Sequence, residues 1–180
     1  ALFKKHFGLL IRAEENKYHA LHYAAVQDIF FIYVPKGVQV ESPIHLQKKG
    51  AGMQQVLVFA EPLSKVIVLA EETALPSENT GYASTFVEAF VQENAEVTYM
   101  FLQNHSQETQ LHIQKKAQVA KDGRMNWIEA YFGSSYTKSA VTATLEEDGA
   151  TATNTTIFFG DKSQKFDIMS RTIQRGRHTF

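Results

Sequence analysis

The chain contains no cysteine. Disulfide bridges and thiolate metal ligands are therefore excluded within these 180 residues. An excess of one charge is missing too. Lys and Arg number 18 against 19 Asp and Glu, a formal net charge of −1, which leaves neither the basic surface that nucleic acid selects nor an acidic tail. No apolar run reaches the length of a membrane span. The opening Ala1-Leu2-Phe3-Lys4-Lys5 is too polar to read as a signal peptide. No nucleic-acid or membrane partner is expected, and the expected compartment is cytoplasmic. Asn104-His105-Ser106 and Asn154-Thr155-Thr156 fit the N-glycosylation pattern but, without a secretory signal, read as chance matches. No Ser-His-Asp arrangement, phosphate-cradling glycine loop or Walker-type sequence is visible.

What is present is a repeated phrase. Asn94-Ala95 opens Glu96-Val97-Thr98-Tyr99-Met100-Phe101-Leu102, Asp122-Gly123 opens Arg124-Met125-Asn126-Trp127-Ile128, and Asp148-Gly149 opens Ala150-Thr151-Ala152-Thr153. The offsets, 28 and then 26 residues, lie in the range of a solenoid whose units bury their apolar sides against one another. Strand-like stretches at 84–91, 110–119, 138–145 and 166–173 recur around these phrases. They are rich in Val, Ile, Thr, Phe and Tyr, which fit a pleated, half-buried surface. Alternation is clear in Ala140-Val141-Thr142-Ala143-Thr144-Leu145 and blurred in Tyr99-Met100-Phe101-Leu102, which reads as buried on both faces. The Asn-Ala and Asp-Gly pairs fit corners, because Asn, Asp and Gly tolerate positive φ. A coil of parallel strands is expected. A meander of hairpins reversing at Asp-Gly is the alternative.

Apolar residues at 44% and charged residues at 21% describe one globular domain with a sizeable core. Residues 2–26 read as helix, broken by charge over 12–16, with Phe3, Phe7, Leu10 and Ile11 on one face and Tyr18, Leu21 and Ala25 on another. Phe30-Phe31-Ile32-Tyr33-Val34 is a strand stopped by Pro35-Lys36-Gly37. Further strands are expected at 55–60 and 65–70, and a loop at 71–81, where Pro76, Ser77, Asn79 and Gly81 cluster. The division is an N-terminal helical segment, 1–28, and a β-helix core, 29–180, together one domain.

Tyr18-His19-Ala20-Leu21-His22-Tyr23, then Tyr33-Val34-Pro35-Lys36-Gly37-Val38 and Glu41-Ser42-Pro43-Ile44, resemble the SufB/SufD family of iron–sulfur cluster assembly scaffolds. So do Glu93-Asn94-Ala95-Glu96-Val97, Asn126-Trp127, Gly149-Ala150-Thr151-Ala152, Gln164-Lys165-Phe166-Asp167 and His178-Thr179. The resemblance implies an all-β, right-handed parallel β-helix. It implies a non-catalytic scaffold that positions a SufB-type or second SufD-type subunit and a SufC-type ABC ATPase. It also implies that no cofactor is bound by this chain itself, an iron–sulfur cluster passing only transiently through the assembled complex. The absence of cysteine makes the chain more similar to SufD than to SufB. The family continues into further coils and a helical domain beyond the stretch matched here. Its Cys/Ser-His-Gly-Ala-Thr type segment falls in that later part, and Gln174 stands where the family commonly has His, seven residues after Asp167.

Seven histidines invite a metal reading, but a site needs three or four converging ligands. His19 and His22, spaced i, i+3 near Glu14 and Glu15, read as a helix surface. His105 and His112 flank Glu108 across a corner. His178, after Arg175, Gly176 and Arg177, matches the family's His-Thr step and ranks first. The assignment is no catalytic and no metal residue, with His178, His105 and His112 as weak candidates. Glu146-Glu147-Asp148 reads as a solvated corner, since adjacent acids on an extended chain point alternately. A β-solenoid carbohydrate enzyme using such acids, or a β-rich binding module, is the alternative function. Of the late aromatics Tyr99, Phe101, Trp127, Tyr131, Phe132, Phe158 and Phe159, most read as core stacks, and an exposed subset would mark a partner surface. A homodimer through an open last turn, near 170–180, is the further partner considered.

Overall fold

The computed structural model describes residues 2–74 and 81–180. Helix α1 (Leu2–His6), a 3-10 turn (Ala13–Glu15) and helix α2 (Lys17–Ala25) precede the strands. These are β1 (Asp28–Val34), β2 (Ile44–Lys49), β3 (Gly52–Ala60), β4 (Lys65–Thr73), β5 (Gly81–Val91), β6 (Glu96–Asn104), β7 (Thr109–Val119), β8 (Arg124–Tyr131), β9 (Tyr136–Leu145), β10 (Thr151–Phe158) and β11 (Lys165–Gln174). The odd strands form a six-stranded sheet in the order β1-β3-β5-β7-β9-β11. The even strands form a five-stranded sheet in the order β10-β8-β6-β4-β2. Every pairing is parallel. The chain is a β-solenoid of about five turns, and the hairpin alternative is overturned.

Corners hold the register. Gly37, Leu63, Asn94, Asp122, Gly149 and His178 all have φ between 53° and 74°. Each of the first five donates its amide to the next turn: to Pro62 O (3.0 Å), Glu93 O (3.0 Å), Lys121 O (2.9 Å), Asp148 O (3.0 Å) and Arg177 O (3.0 Å). A left-handed residue turns the chain, and at these five corners its freed amide finds a carbonyl one coil away. The third corner differs from the reading by phrases. Arg124 pairs with Thr151, 27 residues on, because the corner 146–150 is one residue longer than 120–123. Gly149, not Asp148, therefore takes the place of Asp122. A Cβ on Gly149 would overlap Asp122 Oδ1.

Alternation sets inside from outside. The even sheet points Val66, Val68, Val97, Tyr99, Phe101, Met125, Trp127 and Tyr131 inward, against Val56, Val58, Val87, Val91, Leu111, Ile113 and Val119 of the odd sheet. Tyr99 and Trp127 meet edge to face, centroids 5.6 Å apart, and Phe101 lies 6.1 Å from Tyr131. Met100 and Leu102 are only half-buried, so β6 is not covered on both faces as its composition suggested. Phe132, Phe158 and Phe159 are the exposed late aromatics. Strand β2 escapes the sequence reading, because its inward row ends in Lys48. Of the loop expected over 71–81, residues 71–73 end β4 and Gly81 begins β5, while 75–80 lie outside the described residues.

The N-terminal segment covers part of the odd sheet's outer face. It is less helical than its pattern suggests. α1 ends at His6, and Gly8 (φ 72°) turns the chain away. Phe3, Phe7 and Leu10 still pack on Leu57, Phe59 and Phe90. Asn16 Oδ1 caps α2 by accepting from the amides of Tyr18 (2.9 Å) and His19 (3.0 Å). The buried face of α2 carries His19 and His22, whereas Tyr18 and Leu21 are exposed. The helix-surface reading of those histidines is overturned.

The corner geometry makes a prediction. Gly149→Ala puts a Cβ at positive φ and against Asp122, and should lower stability by about 1–3 kcal/mol. Leu63→Asn should be neutral or stabilising, since Leu gains nothing from a conformation that disfavours it by about 1–2 kcal/mol. Urea-unfolding midpoints test the pair. An unaffected Gly149→Ala protein would remove the register role assigned to this corner.

Candidate functional site

Charged side chains enter the interior along one margin, at the ends of the even strands. Lys48, Glu72, Gln103 and Tyr131 occupy one inward row on four successive strands, each in register with the next. All four are buried. Glu72 accepts from His105 Nε2 (2.9 Å) and from Thr85 Oγ1, with Lys48 Nζ at 3.7 Å. Lys48 also donates to Gly52 O (2.9 Å). Burial pushes the Glu72 carboxyl up, but the Lys48 charge and the His105 and Thr85 hydrogen bonds outweigh it, holding the group below the usual carboxylate range.

The second half of the row centres on Lys115, whose side chain crosses the interior from β7. Its ammonium donates to Glu129 Oε1 (2.6 Å) and lies 3.8 Å from the Phe101 ring centroid. Glu129 Oε2 accepts from Tyr131, whose hydroxyl lies 2.9 Å from Ser139 Oγ. Burial draws the Lys115 ammonium below its ordinary value against the pull of Glu129. Burial and then Glu129 drive the Tyr131 phenol well up. Gln103 ties the next corner by donating to Gly133 O (3.0 Å). A Cβ on Gly133 would overlap the His105 backbone, so the two corners touch only because glycine is there. Tyr99 Oη, Trp127 Nε1 and His105 Nδ1 are buried without hydrogen-bond partners among the described residues. Two ammonium groups, Lys48 and Lys115, thus stand beside two carboxylates, Glu72 and Glu129, inside this margin.

A second cluster sits outside, under α2. The His22 ring stacks on Phe86 (3.7 Å, 10°), and His19 and His112 meet the same ring edge-on at 5.0 and 5.7 Å. His22 Nδ1 is 2.7 Å from Ser84 Oγ and Nε2 is 3.2 Å from Gln55 Oε1. Gln55 Nε2 donates to Glu88 (3.0 Å), which also accepts the amides of Gly8 (2.7 Å), Leu10 (2.6 Å) and Ile11 (3.0 Å). One buried carboxylate thus pins the turn between α1 and α2. Burial pushes both His22 and His112 down to about 4, so both are neutral at pH 7.

The histidine candidates do not converge. His105 faces inward on Glu72, His112 lies outside against Phe86, and His178 is an exposed corner residue. Among the described residues no group of three or more His, Asp or Glu side chains could hold a metal ion. His19 lies 3.6 Å from Glu15 and His22 reaches neither Glu14 nor Glu15. The acids at 146–148 diverge, each binding a different group: Glu146 binds Arg175, Glu147 accepts the Lys121 amide (3.1 Å), and Asp148 accepts the Arg177 amide (2.8 Å). The sequence reading missed Glu72, Glu88, Lys115 and Glu129. The signal for two of them was phase. Lys115 lies between Ile113 and Ala117, and Glu129 between Trp127 and Tyr131, all on inward positions.

Two family descriptions match the chain. "SUF system FeS cluster assembly, SufBD core domain" matches residues 44–180, and "SufBD protein N-terminal region" matches residues 1–46. The chain belongs to the SufB/SufD family. A SufBD family protein of Staphylococcus saprophyticus is 27% identical over 183 residues, covering 99% of this chain and 39% of the relative. SufBD family proteins of Staphylococcus aureus strains MRSA252 and USA300 are 28% identical with the same coverage. All three relatives are named as iron–sulfur cluster assembly proteins. The chain thus spans about two fifths of the length of these curated relatives. No helix among the described residues is long and apolar enough to cross a membrane.

Two tests follow from the buried charges. Lys115→Met strands a buried carboxylate and should lower stability by about 3–5 kcal/mol, most of it recovered by adding Glu129→Leu. Urea titration decides, and a double variant no more stable than the single one would refute the pairing. The outer cluster sets a pH dependence. His22 and His112 titrate near 6.5 when unfolded and near 4 when folded, so between these values the unfolded chain binds more protons and stability is lost as the pH is lowered. Both rings are nearly fully buried, so the loss from pH 7 to 4 attributable to the pair is on the order of several kcal/mol. Thermal melts should show it shrinking in His22→Gln. An identical profile in that variant would contradict the assignment.

Proposed function

We propose that the protein is a non-catalytic scaffold subunit of a Suf-type iron–sulfur cluster assembly complex, acting in the cytoplasm. The observation that carries this reading is the placement of both SufBD regions, 1–46 and 44–180, in order on one continuous solenoid. In it the family region before the core supplies the pad over the odd sheet, and the core supplies the stacked coils. Parallel strands with locked corners make a surface that keeps its shape while partners bind, as positioning requires. The partners are a SufB-type or second SufD-type subunit and a SufC-type ABC ATPase, which would supply the ATP chemistry for which this chain shows no phosphate loop. A cluster is cargo of the assembled complex rather than a resident group of this chain, which has no thiolate to hold one.

The test is affinity purification of the tagged protein co-expressed with SufB-type and SufC-type subunits. Stoichiometric recovery of both is the expected result. Recovery of neither, or activity of the protein on polyuronides, would overturn the reading. Light scattering on the same preparation bears on a homodimer, against which a clean monomer at high concentration would count.

A further inference from the structure

Among the described residues the N-terminal segment covers the odd sheet's outer face over β3 and β5, reaches β7 where Tyr18 meets His112, and leaves the second half of β9 and β11 open. Where the cover stops there is a step, and along it lies a cavity of about 350 Å³. Leu9 and Arg12 stand on its wall, and Thr142, Arg171 and Ile173 on its floor. Lys116, Thr142 and Arg171 pair in register across β7, β9 and β11, so their side chains form one column with spacings of about 4.8 Å.

The charge on this step is unbalanced. Lys116 is held by Glu15 (2.8 and 2.9 Å) and Arg175 by Glu146 (3.0 and 2.9 Å). The guanidinium groups of Arg12 and Arg171 have no hydrogen-bond or carboxylate partner among the described residues, and both residues are exposed. Glu88, buried beneath the step, is taken up by the amides of Gly8, Leu10 and Ile11, and of the four cations two are paired, by Glu15 and Glu146. Leu9 is 44% exposed beside them, and Met169 on the neighbouring stretch of β11 is 49% exposed. The surface has two unpaired cations next to an apolar strip.

We propose that this step docks an acidic amphipathic helix of a separate protein, its carboxylates on Arg12 and Arg171 and its apolar side on Leu9 and Ile173. A helix is the element that covers the flat face of a parallel sheet, and α2 already does so over Phe86. β9 is ten residues long, about 33 Å, which a helix of about 20 residues matches. A second copy of this chain is the poorer occupant, because a two-fold contact would set the same cations against themselves. The proposal goes beyond the scaffold reading and does not depend on it.

The probe is a fluorescein-labelled peptide of about 20 residues with Glu along one helical face and Leu along the other, followed by anisotropy. Saturable binding is expected at low salt, weakened about tenfold or more by Arg12→Glu with Arg171→Glu, by a Gln-for-Glu peptide, and by about 0.5 M salt. Equal binding to the double variant, or no binding by the unaltered protein, would overturn it. So would sedimentation showing a dimer of the protein that the double variant loses. Should the double variant melt early by circular dichroism, Arg171→Ala alone, at an exposed position, gives the same comparison with a smaller expected loss.

Discussion

The structure depends on one constraint: each coil must fall on the last in a register that parallel pairing alone does not choose. A parallel ladder can slip, and a one-residue slip exchanges inward and outward side chains along a whole strand. The corners prevent this. A left-handed residue at each turn directs its amide to a carbonyl one coil on, so slippage would break a corner bond as well as invert a face. The longer corner at 146–150 shows the device accommodating an extra residue. The left-handed position moves to Gly149, the amide still finds Arg177 O, and β10 stays aligned with β8. Length varies between coils while the alignment of inward rows does not.

Once register is fixed, side chains on neighbouring strands become permanent neighbours, and that permits charge inside. Lys115 and Glu129 belong to consecutive strands of one coil, β7 and β8 in opposite sheets, and meet across the interior because the corner 120–123 sets the phase of one strand against the other. A buried ion pair is a weak source of stability compared with packed apolar groups, and losing either partner is severe. Its presence therefore argues for specificity. A β8 displaced by one residue against β7 would turn Glu129 to the outer face and leave Lys115 unmatched. Apolar stacking of the Tyr99–Trp127 kind tolerates such displacement better, because most neighbours in the same rows are also apolar. The polar margin and the corner column lie at opposite ends of the strands, so each turn is fixed at both ends.

Strands β5, β7, β9 and β11 were legible because their Val, Ile and Thr content is high and their spacing repeats. The corners at Asn94 and Asp122 were legible because those residues suit positive φ. The corner at Leu63 was not, since leucine gives no local sign of a conformation imposed by the coils on either side. β2 was missed for a related reason. Ile44, Leu46 and Lys48 form an inward row, but a lysine at the third position reads as surface until Glu72 is known to lie beside it. Helix α2 misled in the opposite sense. Its aromatic and aliphatic residues promised a buried face, yet the histidines are buried, because Phe86, Ser84 and Gln55 offer ring stacking and hydrogen bonds that Leu21 cannot use. In each case the deciding partner lies on another coil or on the pad, 24 to 64 residues away in sequence, beyond the reach of any local pattern.

The same separation explains why the overall charge describes the surface poorly. The formal sum of −1 counts Glu72, Glu88 and Glu129, all buried, alongside the buried Lys48 and Lys115. It also counts Glu147 and Asp148, which are taken up by corner amides. Carboxylates tied to backbone amides are held at those corners rather than in contact with a side-chain cation, and Arg12 and Arg171 have no contact partner among the described residues. Fields at a protein surface decay within about 10 Å at ordinary ionic strength. A partner approaching the odd sheet therefore meets the local excess and not the sum. Three carboxylates and two ammonium groups go inside together and leave the surface sum near zero, so the sign of this outer face comes from where its exposed cations stand.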